Sequence, residues 1–228
     1  SNLGMTRTIF DKLNRDWLKS DAFRSPKIPL NIQMGAGQVN AFRAYQQFSP
    51  GQWDAKMPVP AIGWDYRTVG NLETTTNRQK ANGREQTVEN SGDGNGFEAQ
   101  PNRTGDRQTP IYRDYVLEKP LRQGSFVSVT LAWNRRVELV DNNRNGEYDL
   151  GEEFRDRGLN NLDLYLMRAS DNDTSQSVWA STSDVDSVEH IFSKIPKTGR
   201  YKIRVQFRDR VNDPIQPYAL AWWTVPDR

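Results

Sequence analysis

The sequence contains no cysteine and only one histidine in 228 residues. Without thiols the chain cannot form disulfide bonds, use a cysteine nucleophile or hold zinc through sulfur. With His190 as its single imidazole, one chain cannot supply the paired histidines of hydrolytic zinc sites. These absences exclude several enzyme classes before any motif is considered.

Long apolar runs and a strong excess of one charge are also missing. No stretch approaches the roughly 18 apolar residues that a membrane-spanning helix needs, and no signal peptide is visible. The net charge is only +2, which is too balanced to indicate a nucleic-acid partner. A predicted strand at 201–207 carries Lys202, Arg204 and Gln206 on one face, with Arg208 after it. We expect a solvated outer face there, because no aromatic residues interleave with these cations to stack on bases.

Residues 71–110 contain few apolar side chains. Such a segment buries too little surface to offset the entropy of ordering it, so we expect a long mobile insertion. Its glycine-rich run at 91–96 has no predicted strand before it and no helix after it, and we interpret it as a linker. The apolar residues of the segment are Leu72, Ala81, Val88, Phe97 and Ala99.

Period-2 alternation of apolar and polar residues dominates the chain beyond residue 110. Together with a strand at 61–69, it predicts a mainly β fold, an antiparallel β-sandwich or jelly roll of about 7–9 strands. A short N-terminal helical extension precedes it, with an amphipathic helix at 5–19 and a short helix at 41–47 capped by Asn40. The other strands are predicted at 111–118, 125–133, 162–167, 177–182, 188–195, 200–207 and 217–225.

The stretch 141–152 matches every defined position of the calcium-loop pattern D-x-[DN]-x-[DN]-G-x5-E. Ca²⁺ binds six to eight oxygens, so a loop must return an oxygen on nearly every second residue. Gly146 lies at the sharp turn, where a Cβ would be costly. Asn, Asp and Gly also favour turns without any metal, so a polar surface turn is the alternative. The predicted ligands are Asp141, Asn143, Asn145, Glu147, Asp149 and Glu152.

Predicted strands, rather than helices, lie on both sides of this loop. A sensor EF-hand opens a pair of helices, and that pair is missing here, so we expect a structural calcium site. Asp163 projects opposite the apolar face of the strand at 162–167. It is either a solvated strand residue or an additional calcium ligand.

The first fifty residues resemble the last stretch of a subtilisin-like serine protease domain. That family closes with a Gly-x-Gly-x-[Val/Ile]-Asn-x-x-x-Ala turn and helix, matched here by Gly35, Gly37, Val39, Asn40 and Ala44. The β region is similar to the pre-peptidase C-terminal (PPC) sandwich of secreted bacterial proteases. The similarity lies in Asn161–Leu166, Val178–Ser183, Ser187–His190 and Gly199–Val205.

This order of segments resembles the large subtilases of cyanobacteria and related bacteria. It implies a subtilase tail at 1–50 and a PPC-like sandwich at 51–228. It also implies a calcium-stabilised accessory domain, a protease domain upstream in the same polypeptide, and an extracellular or periplasmic location. The chain opens without an initiator Met, as a processed or excised fragment would.

The family's catalytic signature is absent from this sequence. A subtilase places its nucleophile in a Gly-Thr-Ser-Met-Ala-x-Pro turn, and no such turn occurs. His190 falls in a predicted strand, where we expect a structural role. We therefore predict no enzyme activity for this chain, although the resemblance implies a serine endopeptidase as its parent.

Two other functions compete with this interpretation. A free-standing carbohydrate- or protein-binding module would need exposed aromatic rings. Trp179 is the best exposed candidate, because alternation places Trp133 and one of Trp222 and Trp223 in the core. A glycoside hydrolase would need paired carboxylates, and nothing in the sequence pairs the candidates at a required spacing. These candidates, which could instead form a second calcium site, are Asp184, Asp186 and Glu189.

Overall fold

A computed structural model describes residues 16–37, 40–70 and 111–227, and the fold of these residues is mainly β. Ten strands occur in these ranges, all in antiparallel sheets. They are β1 (Ile62–Gly70), β2 (Tyr112–Val116), β3 (Phe126–Trp133), β4 (Val137–Val140), β5 (Glu153–Asp156), β6 (Asn161–Arg168), β7 (Trp179–Ser181), β8 (Val188–Lys194), β9 (Tyr201–Asp209) and β10 (Ile215–Trp223).

Two four-stranded sheets form the body of the protein. The first has the strand order β1-β10-β3-β8, the second has the order β2-β9-β6-β7, and β4 and β5 form a separate hairpin. Alternate residues of β3 are buried between the sheets, from Val127 to Trp133, while their neighbours are only half-buried. The main apolar core draws side chains from both four-stranded sheets, and a second, smaller cluster forms around Trp17 and Ala22. The prediction of an antiparallel β-sandwich is therefore confirmed.

Every strand predicted from periodicity is present, but the β4–β5 hairpin was missed. All four residues of β5 are exposed and none of β4 is fully buried, so neither strand has the apolar face that produces a period-2 pattern. The two strands are held together instead by their antiparallel backbone pairing, in which Val137 lies opposite Asp156 and Val140 lies opposite Glu153.

The two α-helices among the described residues are short and lie before β1. They are α1 (Asp21–Arg24) and α2 (Ala41–Phe48). The Asn40 side chain accepts a hydrogen bond from the Arg43 amide, which confirms its predicted role as the cap of α2. Most of the predicted helix at 5–19 lies outside the described residues, and the part from residue 16 onwards contains only a 3-10 turn at Trp17–Lys19. No helix among the described residues is long and apolar enough to cross a membrane.

The predicted insertion at 71–110 also lies outside the described residues. The division into segments 1–50 and 51–228 stays a prediction. In the described part, Gln47 of α2 donates hydrogen bonds from Nε2 to the carbonyl oxygens of Gly63 and Trp222, each at 3.1 Å. Helix α2 therefore contacts the sandwich directly.

The outer face of β9 is not solvated, contrary to the sequence prediction. Lys202 and Arg204 are buried, at 3% and 4% exposure. Asp114 on β2 accepts hydrogen bonds from Arg204 Nε and Nη2 at 2.6 and 2.8 Å, and lies 2.9 Å from Lys202 Nζ. The Asn172 carbonyl accepts from Arg204 Nη1 at 2.8 Å. The loop that follows β6 thus covers this face, which local alternation cannot reveal.

Candidate metal centre

The twelve residues of the predicted calcium loop are the whole connection between β4 and β5. The last strand pair joins Val140 to Glu153, and the loop runs from Asp141 to Glu152 between them. The hairpin register therefore brings the first and last predicted ligands to the same end of a two-stranded ladder.

The first half of the loop is folded around the Asp141 carboxylate. Its Oδ1 accepts a hydrogen bond from the Arg144 amide at 2.5 Å, and its Oδ2 accepts from the Gly146 amide at 2.7 Å. Asn143 Oδ1 accepts from the Asn145 amide at 3.0 Å. Each oxygen is thus turned towards the interior of the loop.

The second half of the loop turns its carboxylates towards the same region. Asp149 Oδ2 accepts hydrogen bonds from the side-chain amides of Asn143 and Asn145, at 2.5 and 2.8 Å. Glu152 accepts from the Asn142 amide at Oε1 and from the Asp149 amide at Oε2, at 2.8 and 3.0 Å. Glu152 is only 9% exposed, although its neighbours are exposed, so its carboxylate lies inside the loop.

Backbone conformation explains the glycine at the sixth loop position. Gly146 has φ of +82°, in the left-handed region, and a Cβ built there would meet no atom within 4 Å. The constraint is therefore the dihedral angle and not the available space. Arg144 also adopts a positive φ, +62°, at a cost for a residue with a Cβ of about 1 kcal/mol or more.

The donor set fits a hard cation. Three carboxylates, two amide oxygens and the Glu147 carbonyl are the oxygen ligands that Ca²⁺ prefers, and no sulfur or imidazole is among them. Within the described residues, no three side chains of His, Cys, Asp or Glu converge as a ready metal site. The carboxylates of Asp149 and Glu152 are tied to amide groups. Calcium would thus replace internal hydrogen bonds with ligand bonds.

Asp163 is neither solvated nor hydrogen-bonded to the loop. It is 1% exposed, and its Oδ2 accepts hydrogen bonds from Tyr165 Oη at 2.7 Å and from Arg208 Nη1 at 3.3 Å. Burial raises the pKa of Asp163, while the bonds from these two partners oppose the rise. The solvated strand position expected from alternation is wrong, because Tyr165 covers the carboxylate.

The three acids of the 181–189 region lie in different surroundings, although Asp186 and Glu189 both accept hydrogen bonds from Ser183. Asp184 pairs with Lys27 Nζ at 2.8 Å, and Asp186 accepts from Ser183 Oγ at 2.7 Å. Glu189 points between the sheets, where it accepts from Ser181 Oγ and from the Ser183 amide. Burial raises the pKa of Glu189 to about 8. Charge repulsion from Asp163 and Asp186 adds to this rise, and the glycoside hydrolase alternative stays a prediction.

Trp179 is half-buried and does not present a free ring. It packs against the core, and its ring stacks on Phe23 at 6.4 Å between centroids with an interplanar angle of 21°. A ligand-binding role for Trp179 stays a prediction. Trp133 and Trp222 are both in the core, as alternation predicted.

His190 has the structural role expected of it. Its Nδ1 lies 2.8 Å from Thr130 Oγ1, and the Trp17 ring packs edge-on against the imidazole with centroids 5.8 Å apart. Burial lowers the pKa of His190 to about 4. The ring is therefore neutral at physiological pH and lies under a tryptophan.

A cavity of about 340 Å³ lies at the base of the β4–β5 hairpin. Sequence reasoning singled out none of its lining residues for binding. They come from β1, β3, β10 and two loops, and no local motif could have brought them together.

No protein-family model matches this chain, and a search of curated proteins finds no significant match.

Proposed function

We propose that this chain is a non-catalytic, calcium-stabilised accessory module of a secreted subtilisin-like serine protease. The observation that carries the calcium assignment is the loop at Asp141–Glu152, which is the entire β4–β5 connection and turns its oxygens inward. Its role is to stiffen the module and to position it on a substrate or a surface.

The surroundings of the loop favour a structural role for calcium over a signalling role. Two strands flank the loop, and a hairpin has no helix pair to open on binding. Ca²⁺ would draw the Asp141, Asp149 and Glu152 carboxylates together and balance their charge. With two Asn ligands and Arg144 in the loop, we expect a Kd of about 10⁻⁵–10⁻³ M, which suits extracellular calcium.

The association with a protease rests on the sequence resemblance. The motif at 35–44 ends in the Asn40-capped helix α2, which agrees with the turn and helix that close a subtilase domain. The absence of catalysis stays a prediction; it rests on the missing nucleophile turn and on His190, which is buried under Trp17 with the Thr130 hydroxyl group as its hydrogen-bond partner. A subtilase domain encoded directly before residue 1 would support the proposal, and an unrelated upstream sequence would contradict it.

Thermal melting with and without calcium tests the stabilising role. At a free calcium concentration 100 times Kd, binding to the native state adds about 2.7 kcal/mol to the free energy of unfolding. For a chain of this size that corresponds to a rise in Tm of roughly 5–10 °C. Calorimetric titration with Ca²⁺ should give one binding site, and Mg²⁺ should bind to it much more weakly than Ca²⁺.

Matched variants assign the effect to the loop. The double variant Asp141→Ala, Glu152→Gln should lose the calcium-dependent rise in Tm. Glu118→Gln, which removes one exposed carboxylate elsewhere, should keep it. A wild-type Tm that does not move in millimolar calcium would refute the proposal.

A further inference from the structure

The cavity at the hairpin base lies on the outer face of the first sheet. Its floor is formed by Ala132 and Ala219, which are register neighbours of Tyr66 across three adjacent strands. Two small side chains beside a tyrosine leave a shallow depression with an aromatic wall. The Tyr66 ring is 57% exposed, so it is available to a ligand.

Ion pairs surround this floor. Arg136 contacts Asp213 through Nη1 and Glu138 through Nη2, and Arg135 Nη1 lies 2.7 Å from Asp156 Oδ2. Of these residues, Arg135, Arg136 and Asp213 line the cavity, so its rim carries both cationic and anionic groups. A strongly charged ligand would have to displace one of these pairs, whereas a neutral polyol can hydrogen-bond to donors and acceptors alike.

Size and chemistry together select the class of ligand. A volume of about 340 Å³ is at the low end of the ~300–1,000 Å³ range of small-molecule sites. A pyranose ring has an apolar C–H face and a rim of hydroxyl groups. The apolar face suits an exposed tyrosine ring beside alanine side chains, and the hydroxyl groups suit the Arg–Asp rim.

We propose that this cavity binds a sugar unit of a neutral polysaccharide. Tyr66 stacks on the pyranose face, Ala132 and Ala219 form the floor, and the side chains of Arg135, Arg136 and Asp213 bind hydroxyl groups. No bond is made or broken, and the site is a binding site only.

The calcium loop and the cavity lie at opposite ends of the same hairpin. Asp156 pairs with Val137 at the base of the ladder, and Arg135 and Arg136 come directly before β4. Stiffening the loop end of the hairpin should therefore hold Arg135, which pairs with Asp156 of β5, in place at the cavity. This dependence on calcium rests on the proposed function, whereas the sugar site itself does not.

Calorimetric titration of the full chain with neutral oligosaccharides tests the site. The probes are maltohexaose, cellohexaose, xylohexaose and N-acetylchitohexaose, each in millimolar CaCl₂ and in EGTA. At least one should bind, and Tyr66→Ala should weaken its binding about tenfold, as the loss of one ring contact would. Ala219→Leu, which fills the floor and leaves Tyr66 in place, should abolish binding.

Tyr45→Ala is the matched control, because Tyr45 is another exposed tyrosine, on α2 and outside the cavity. It should leave the affinity unchanged. Circular dichroism and melting of each variant will show that the fold is retained. Equal binding by wild type and Tyr66→Ala, or no binding by any probe, would overturn the proposal, as would binding of a casein-derived peptide mixture that Ala219→Leu abolishes.

The two proposals fail separately. Sugar binding that is the same in calcium and in EGTA would leave the cavity assignment intact and remove its link to the loop. A calcium-dependent rise in Tm without sugar binding would leave the calcium assignment of the loop intact and refute the assignment of the cavity as a sugar site.

Discussion

Glu189 and His190 are neighbours on β8, and burial favours the neutral form of both. Glu189 points between the sheets and its pKa rises to about 8, while His190 lies under Trp17 and its pKa falls to about 4. The same physical cause shifts an acid upwards and a base downwards, because each charged form loses its hydration. Two adjacent side chains therefore affect stability in different pH ranges.

The signs of these two effects predict where stability is lost. The unfolded chain releases the Glu189 proton above about pH 4.5, whereas the native protein keeps it until about pH 8. The contribution of Glu189 to the free energy of unfolding therefore falls as the pH rises to about 8. The unfolded chain protonates His190 below about pH 6.5, whereas the native protein keeps the ring neutral until about pH 4. The contribution of His190 to the free energy of unfolding therefore falls as the pH drops towards about 4. The two slopes oppose each other between about 4.5 and 6.5, and only the Glu189 effect remains above that range.

We therefore expect the free energy of unfolding to fall between pH 6.5 and pH 8, by as much as about 1.4 kcal/mol per pH unit. Glu189→Gln, which imitates the neutral acid, should flatten this decline in urea unfolding curves. Asp184→Asn removes an exposed carboxylate nearby and should leave the decline in place. A wild-type curve without any slope in this interval would contradict the buried placement of Glu189.

At the scale of the strand, β9 carries two cations that a covering loop has removed from water. Lys202 and Arg204 share one counter-ion, Asp114 on β2, and Arg204 also packs on the Tyr112 ring at 4.0 Å. Burial opposes ionisation of Asp114, but the hydrogen bonds from Arg204 and Lys202 outweigh it and lower the pKa of this carboxyl. The acid therefore stays ionised at a lower pH than an ordinary aspartate does.

Asp114→Asn should be strongly destabilising, because it leaves two buried cations without a counter-ion. We expect a loss of about 2–3 kcal/mol, somewhat below the ~3–5 kcal/mol of a fully buried pair, since the Asp114 side chain is 21% exposed. Urea unfolding at pH 7 measures the loss. The control is Asp209→Asn at the exposed end of the same strand, where the change should be within about 0.5 kcal/mol.

At the scale of the whole molecule, a buried polar network joins the two sheets. Tyr115 of β2 contacts Asp65 of β1 at 2.8 Å and Tyr218 of β10 at 2.7 Å, both through its hydroxyl group. All three side chains are essentially inaccessible to water. Since β2 belongs to one sheet and β1 and β10 to the other, this hydroxyl group fixes how the sheets face each other.

Tyr115→Phe should therefore cost about 1–3 kcal/mol, because it leaves Asp65 and Tyr218 buried with one partner fewer. The denaturant midpoint should fall while the slope m stays constant, as expected when stability changes and the extent of unfolding does not. Tyr112→Phe, on the same strand but with an exposed ring, keeps its contact with Arg204 and should be close to neutral. Equal midpoints for the two variants would show that the network does not couple the sheets.

The core strands and the loop chemistry could be predicted from the sequence because their determinants are local. Alternation in Tyr201, Ile203, Val205 and Phe207 specifies both a strand and its buried face, and all four are buried in β9. The spacing of Asp, Asn and Gly in 141–152 specifies where oxygens recur and where the backbone must take a positive φ. Calcium binding itself stays a prediction from that pattern.

Only the tertiary structure decided which polar residues are solvated and which surfaces come together. Lys202 and Arg204 alternate like solvent-facing residues, yet the loop after β6 covers them. The cavity beside Tyr66 exists because β1, β10 and β3 are adjacent although they are far apart in the sequence. The sequence by itself therefore determined the strands and the ligand spacing, which depend on neighbouring residues. Burial and binding surfaces depend on contacts between distant segments, and only the packed chain defines them.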